Sequence, residues 1–106
     1  MMITNLDEVR EREVVQGIRG RFVHSDNVTV AHWNIDAGAV MPDHAHPHEQ
    51  IVNVIEGEFD FTVEGEVHRA KPGFIAIVPA NVKHGGKART NVRILDVFYP
   101  VREDYR

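Results

Sequence analysis

The chain has 106 residues, 42% of them hydrophobic and 26% charged, which is enough for one domain with a modest core and too little for a second. A formal net charge of −4 with no basic stripe argues against nucleic acid as a partner, and no apolar run reaches the roughly 20 residues of a membrane span. The absence of Cys removes disulfides, thiolate metal sites and thiol nucleophiles together, so ligands and reactive groups must carry nitrogen or oxygen. Met1–Arg12 is charged and lacks an apolar signal-like stretch, which makes a cytoplasmic location the default expectation.

Strand-like alternation dominates from Arg19 onward. Asn5–Gln16 is an N-terminal lead-in, either a short polar helix or a frayed approach to a first strand. Gly20–Val23 and Val28–Ile35 are predicted strands separated by Ser25-Asp26-Asn27, and Asp36–Ala39 breaks the second. Ile51–Ile55 is a short apolar strand. Phe59, Phe61 and Val63 alternate with polar residues before Glu64-Gly65 and a return strand Glu66–Ala70, a hairpin whose positive φ falls on Gly65. Lys71-Pro72-Gly73 is a tight turn, Phe74–Val78 a buried strand, Pro79–Gly86 a loop and Val92–Tyr99 the last strand. Eight or nine short strands with turns between them predict an all-β, single-domain antiparallel sandwich or barrel over residues 1–106.

Histidine is the unusual constituent, with seven in the chain and three at His44, His46 and His48. Isolated histidines are ordinarily surface or satisfied core residues, and His24, His32 and His68 are assigned to that class. Side chains two apart on a strand share a face, so His44 and His46 can converge on one point. Gln50 returns toward it after Pro47, and His84 follows a Pro-Ala-Asn turn much later in the chain. Three or four nitrogen and oxygen donors drawn from separated segments suit a divalent metal ion. A solvated histidine loop is the alternative.

The pattern Gly38-x5-His44-x-His46-x3-Gln50-x6-Gly57 resembles the first cupin motif, and Gly73-x5-Pro79-x-Asn81-x2-His84 resembles the second. The resemblance implies a double-stranded β-helix, or jelly-roll barrel, with the motifs at residues 38–57 and 73–84. It also implies one divalent metal ion held by His44, His46, Gln50 and His84, with zinc, nickel, iron and manganese left open. Gln50 stands where many cupins have Glu. A fully neutral donor set leaves the ion's whole charge in place and favours an anionic small-molecule substrate.

On Val92–Tyr99, the residues Ile94, Asp96 and Phe98 share one face. A carboxylate among apolar neighbours is costly unless paired or protonated. Asp96 is therefore either a proton carrier with a raised pKa or a strand-edge residue paired with Arg93 or Arg102. His-Pro-His-Glu-Gln together with Asp96-x-Phe98-x3-Arg102 and Glu103-Asp104-Tyr105 resembles the KdgF group of cupins, which open 4,5-unsaturated monouronates to linear keto forms. That resemblance implies catalytic roles for Asp96 and Arg102 and places Phe98 in the pocket that binds substrate; His48 is placed there as well. Other functions consistent with the barrel are a metal-dependent dioxygenase or isomerase acting on another small molecule, and a non-catalytic ligand-binding module. Exposed sheet edges predict a homodimer.

Overall fold

The computed structural model describes residues 1–106 and contains ten strands. They are β1 (Arg12–Val15), β2 (Ile18–His24), β3 (Thr29–Ile35), β4 (Val40–His44), β5 (Glu49–Glu56), β6 (Phe59–Val63), β7 (Glu66–Ala70), β8 (Ile75–Val78), β9 (His84–Ala88) and β10 (Val92–Tyr99). One sheet has the order β1-β2-β3-β10-β5-β8 and the other β4-β9-β6-β7, with antiparallel neighbours throughout. From β3 onward the chain passes repeatedly from one sheet to the other, which is the expected jelly roll. No helix is long and apolar enough to cross a membrane.

The core follows the period-two alternation of the strands. On β3, Thr29, Ala31, Trp33 and Ile35 are buried while the residues between them are half-exposed. On β10, Val92, Ile94, Asp96 and Phe98 are buried in the same way, so Asp96 does face inward. Strand β10 lies between β3 and β5, which places Asp96 opposite both Ala31 and Val52, and Phe98 opposite Gln50. Gln50 and Asp96 are thus diagonal neighbours on one inner face, within side-chain reach of each other. Asp96 is neither at a sheet edge nor in an ion pair.

Three local expectations change, at the lead-in, at Phe74–Val78 and at Pro79–Gly86; the second, expected as a buried strand, is the edge strand β8, whose Ile75 and Ile77 are exposed. The lead-in forms a single 3-10 turn, Leu6–Glu8, followed by β1. The Glu64-Gly65 turn has positive φ at both residues, 49° and 81°, the backbone that matches the twist of a two-residue hairpin. The segment expected to be loop through Gly86 instead becomes β9 from His84. His-Gly-Gly-Lys-Ala has poor intrinsic strand preference, so packing sets this strand. A Cβ on Gly86 would run into the Phe59 ring, and one on Gly85 would sit 2.7 Å from the Met41 carbonyl oxygen. Only glycine lets β9 pass that close between β4 and β6.

Candidate metal centre

Strand β9 matters because it carries His84 directly opposite His44 on β4. The third imidazole, His46, lies beyond the end of β4, in the connection to β5. His44 and His46 therefore converge by a turn of the chain and not along one strand face. The amide N–H of Asn81 donates to the carbonyl of His46 at 2.8 Å and ties the two histidine-bearing segments together. Asn81 does so with φ of 67°, a left-handed conformation that Asn tolerates. One donor nitrogen from each of His44, His46 and His84 lies within 4.8 Å of the others.

The proton positions follow from the partners. Nδ1 of His44 lies 2.9 Å from the Pro42 carbonyl, Nδ1 of His46 3.0 Å from that of His48, and Nδ1 of His84 2.8 Å from that of Val82. A carbonyl only accepts, so each neutral ring carries its proton on Nδ1 and a lone pair on Nε2. The Nε2 atoms of His46 and His84 each stand 3.0 Å from Oε1 of Gln50. In the neutral state no proton bridges these contacts, and three lone pairs face one another. Burial, reinforced by Arg102 and His84, depresses His46 to a pKa of about 4 and outweighs what a protonated ring would gain from Gln50. Burial lowers His84 as well. Converging neutral donors of this kind fit a divalent cation.

Gln50 is held from behind. Its Nε2 donates to Oδ2 of Asp96 at 2.9 Å, which turns Oε1 toward the histidines. The same Oδ2 accepts the indole N–H of Trp33 at 2.9 Å, whereas Oδ1 is buried without any partner. Burial pushes Asp96 up to about 7 despite those two donors and the field of Arg102. When Asp96 is protonated, its proton belongs on Oδ1, since Oδ2 is already occupied by two donors. Trp33 is a site residue that the sequence reading missed. Its alternation with Ala31 and Ile35 was the available signal, since it places the indole on the inner face.

Arg102 is buried at the head of the C-terminal 3-10 turn Glu103–Tyr105. Its Nε and Nη2 donate to the two carboxylate oxygens of Asp104 at 3.0 and 2.7 Å. The guanidinium lies between two rings, 4.8 Å from the Phe98 centroid and 4.2 Å from that of Tyr105. The turn is pinned by Arg12, whose Nη1 donates to the Tyr105 carbonyl at 2.6 Å, and by stacking of Tyr105 on Phe22. His44, Gln50, His84, Asp96, Phe98 and Arg102 all line one partly open cavity. His48 lies outside the three-imidazole cluster, with its ring 5.5 Å from that of His46. Its carbonyl orients His46, and its Nδ1 is buried and unpartnered. His24, His32 and His68 all lie outside the cluster, as expected.

The family profile of the Cupin domain matches residues 31–98. The chain belongs to the cupin family. The match spans this cupin's four candidate ligands together with Asp96 and Phe98, and ends before Arg102 and the C-terminal turn. The pectin degradation protein KdgF of Dickeya dadantii (strain 3937) is 30% identical over 102 residues, covering 93% of the cupin and 93% of that protein. The solved structure of KdgF from Halomonas sp. superposes with a TM-score of 0.92 at 29% identity, over 100% of this chain and 99% of that one. An RmlC-like cupin from Shewanella frigidimarina NCIMB 400 gives a TM-score of 0.93 at 27% identity, over 100% and 96% of the two chains.

Proposed function

We propose that this cupin opens the ring of an unsaturated sugar acid, converting 4,5-unsaturated monouronates to their linear keto forms. The observation that carries the reading is Oδ1 of Asp96, a buried and unpartnered carboxyl oxygen on a residue that lines the same cavity as His44, His84 and Arg102. The likeness to two KdgF proteins supports the choice of substrate. In the ring form, the C1 hydroxyl loses a proton as the C1–O5 bond breaks, leaving an aldehyde at C1 and an enol at C5. Protonation at C4 with loss of the enol proton then gives the ketone, so the reaction is an isomerisation that consumes no co-reactant.

Asp96, poised near neutrality, can give a proton from Oδ1 and take one back. Trp33 and Gln50 hold its other oxygen and so fix the direction in which Oδ1 points. Arg102, stacked on Phe98 and held through Nε and Nη2 by Asp104, lines the cavity with Nη1 outside that ion pair, where a substrate carboxylate could accept from it. His44, His46, Gln50 and His84 would hold a divalent ion, which when bound acts as a Lewis acid toward a sugar oxygen. With neutral ligands throughout, that acidity is undiminished. The test is to incubate metal-loaded protein with an unsaturated monouronate and follow the ring-enol absorbance. Accelerated loss of absorbance supports the proposal, and a rate equal to that without protein removes it.

A further inference from the structure

The placement of Arg102 depends on side chains. Strand β10 ends at Tyr99, and beyond it the only backbone-to-backbone hydrogen bonds lie within the C-terminal turn. They run from the Tyr105 N–H to the Arg102 carbonyl at 3.1 Å and from the Arg106 N–H to that of Glu103 at 3.2 Å. No strand ladder therefore fixes this turn against the barrel. It is held instead by the turn end of the β2–β3 hairpin, where His24 and Thr29 stand opposite each other. Thr29 is fully buried, and its Oγ1 accepts the amide N–H of Arg102 at 2.8 Å. The same Oγ1 lies 2.8 Å from Nδ1 of His24, whose Nε2 lies 3.1 Å from the Tyr105 carbonyl oxygen. The pair thus grips the turn at the amide that enters it and at the carbonyl that leaves it.

The directions of these bonds follow from their partners. A carbonyl only accepts, so the neutral His24 ring carries its proton on Nε2 and a lone pair on Nδ1. The Thr29 hydroxyl then donates to Nδ1, which leaves its oxygen to accept from Arg102. Every donor in the chain meets an acceptor, as burial requires. His24 lies outside the imidazole cluster, and sequence considerations assigned it to the ordinary satisfied histidines. It is satisfied, but by the segment that carries Arg102. We infer that His24, acting through Thr29, is a positioning residue that fixes the C-terminal turn and so sets where the Arg102 guanidinium meets the carboxylate of an anionic substrate. The identity of that substrate rests on the ring-opening reading, whereas the grip on the turn does not. Tyr105 and Arg102 belong to the same turn and their side chains are in contact, with the guanidinium 4.2 Å from the ring centroid. A turn released from the hairpin would therefore carry both away from Phe98, on the opposite side of the guanidinium at 4.8 Å.

Hydrogen exchange at the Arg102 amide, read by nuclear magnetic resonance, tests the grip directly. Thr29→Val keeps the branched shape and removes the acceptor, and His24→Leu removes the group that orients it. Both variants should keep the wild-type circular dichroism and metal content, yet exchange at that amide about tenfold faster or more. In the ring-opening assay each should raise KM about tenfold, the scale of one hydrogen bond, and change kcat by less than about threefold. His24→Gln carries one acceptor and one donor at its tip and should bring KM back to within about threefold of wild type. The double variant should be no worse than the poorer single one, because the two side chains act in series. Exchange does not require turnover. A wild-type protein without turnover removes the ring-opening reading, and the exchange rates still decide whether the hairpin holds the turn. A wild-type exchange rate at Arg102 in either single variant overturns the inference, as does an active enzyme whose KM is unmoved by His24→Leu.

Discussion

Asp96→Asn should stabilise the metal-free protein at pH 8 and lower the proposed turnover by roughly 10²-fold or more. The carboxyl is held near 7 in the folded chain against 3.8 when free, mainly because it is fully buried. A raised carboxyl pKa means that the folded state binds the proton more tightly than the unfolded state. Asp96 thus favours folding most at pH below about 4, and that contribution is lost as pH rises to about 7. Over about 3 pH units, at about 1.4 kcal/mol each, the loss is about 4 kcal/mol. An asparagine does not titrate. Its carbonyl keeps the bonds from Trp33 and Gln50, and its N–H takes the place of a carboxyl O–H that is equally unpartnered. Urea denaturation should give nearly equal stabilities near pH 4 and a growing advantage for the variant up to pH 8.

The histidines act in the opposite direction. His46 and His84 are both depressed in the folded state, so their contribution is complete above about 6.5 and is lost as pH falls, that of His46 on the way to about 4. In wild type this acid loss is masked by the gain from Asp96; in Asp96→Asn it stands alone. The variant's stability should therefore fall steadily with acid. Turnover should drop by roughly 10²-fold or more, the usual contribution of a positioned proton carrier. A variant that turns over normally, or that is less stable than wild type at pH 8, contradicts the role assigned to Asp96.

Gln50→Glu separates metal binding from reactivity. The Gln50 amide is a two-sided connector, its oxygen toward His46 and His84 and its N–H toward Asp96. A glutamate would keep the first side and invert the second, setting two carboxylates in contact where a 2.9 Å hydrogen bond now stands. Both cannot ionise in buried surroundings, so they would share a proton and Asp96 would rise above 7. The metal-free variant should lose about 3–5 kcal/mol at pH 8, the scale of an uncompensated buried charge. Bound metal would regain affinity from the added negative charge and lose half of its own effective charge. Calorimetric titration should show a metal dissociation constant no weaker than wild type. Turnover should fall by about 10²-fold or more, with its pH optimum displaced toward alkali. Unchanged turnover would mean that neither the neutrality of residue 50 nor its bond to Asp96 matters.

The barrel and the histidine cluster were legible because each rests on a local pattern. Alternation marks the inner faces of β3, β5, β6 and β10, and the His-x-His spacing with a distant His84 survives whatever path the chain takes between them. Strand β9 was hidden by its two glycines, whose presence is explained only by how closely β4 and β6 flank them. Trp33 was hidden because a tryptophan among apolar strand residues looks the same whether or not its N–H meets a carboxylate. Asp104 lies on a short turn, and its grip on Arg102 depends on tertiary placement. The two readings left open for Asp96 were decided by strand order, since only the structure sets β10 between β3 and β5.

Metal content after dialysis is the most direct measurement of the central claim. Wild-type protein exposed in turn to zinc, nickel, iron and manganese, then freed of loosely held ions, should retain one equivalent of at least one of them per chain. His44→Ala, His46→Ala and His84→Ala should each retain close to none while keeping the wild-type circular dichroism. Wild-type protein that retains no metal, or a His84→Ala variant that retains a full equivalent, would contradict the metal centre described here.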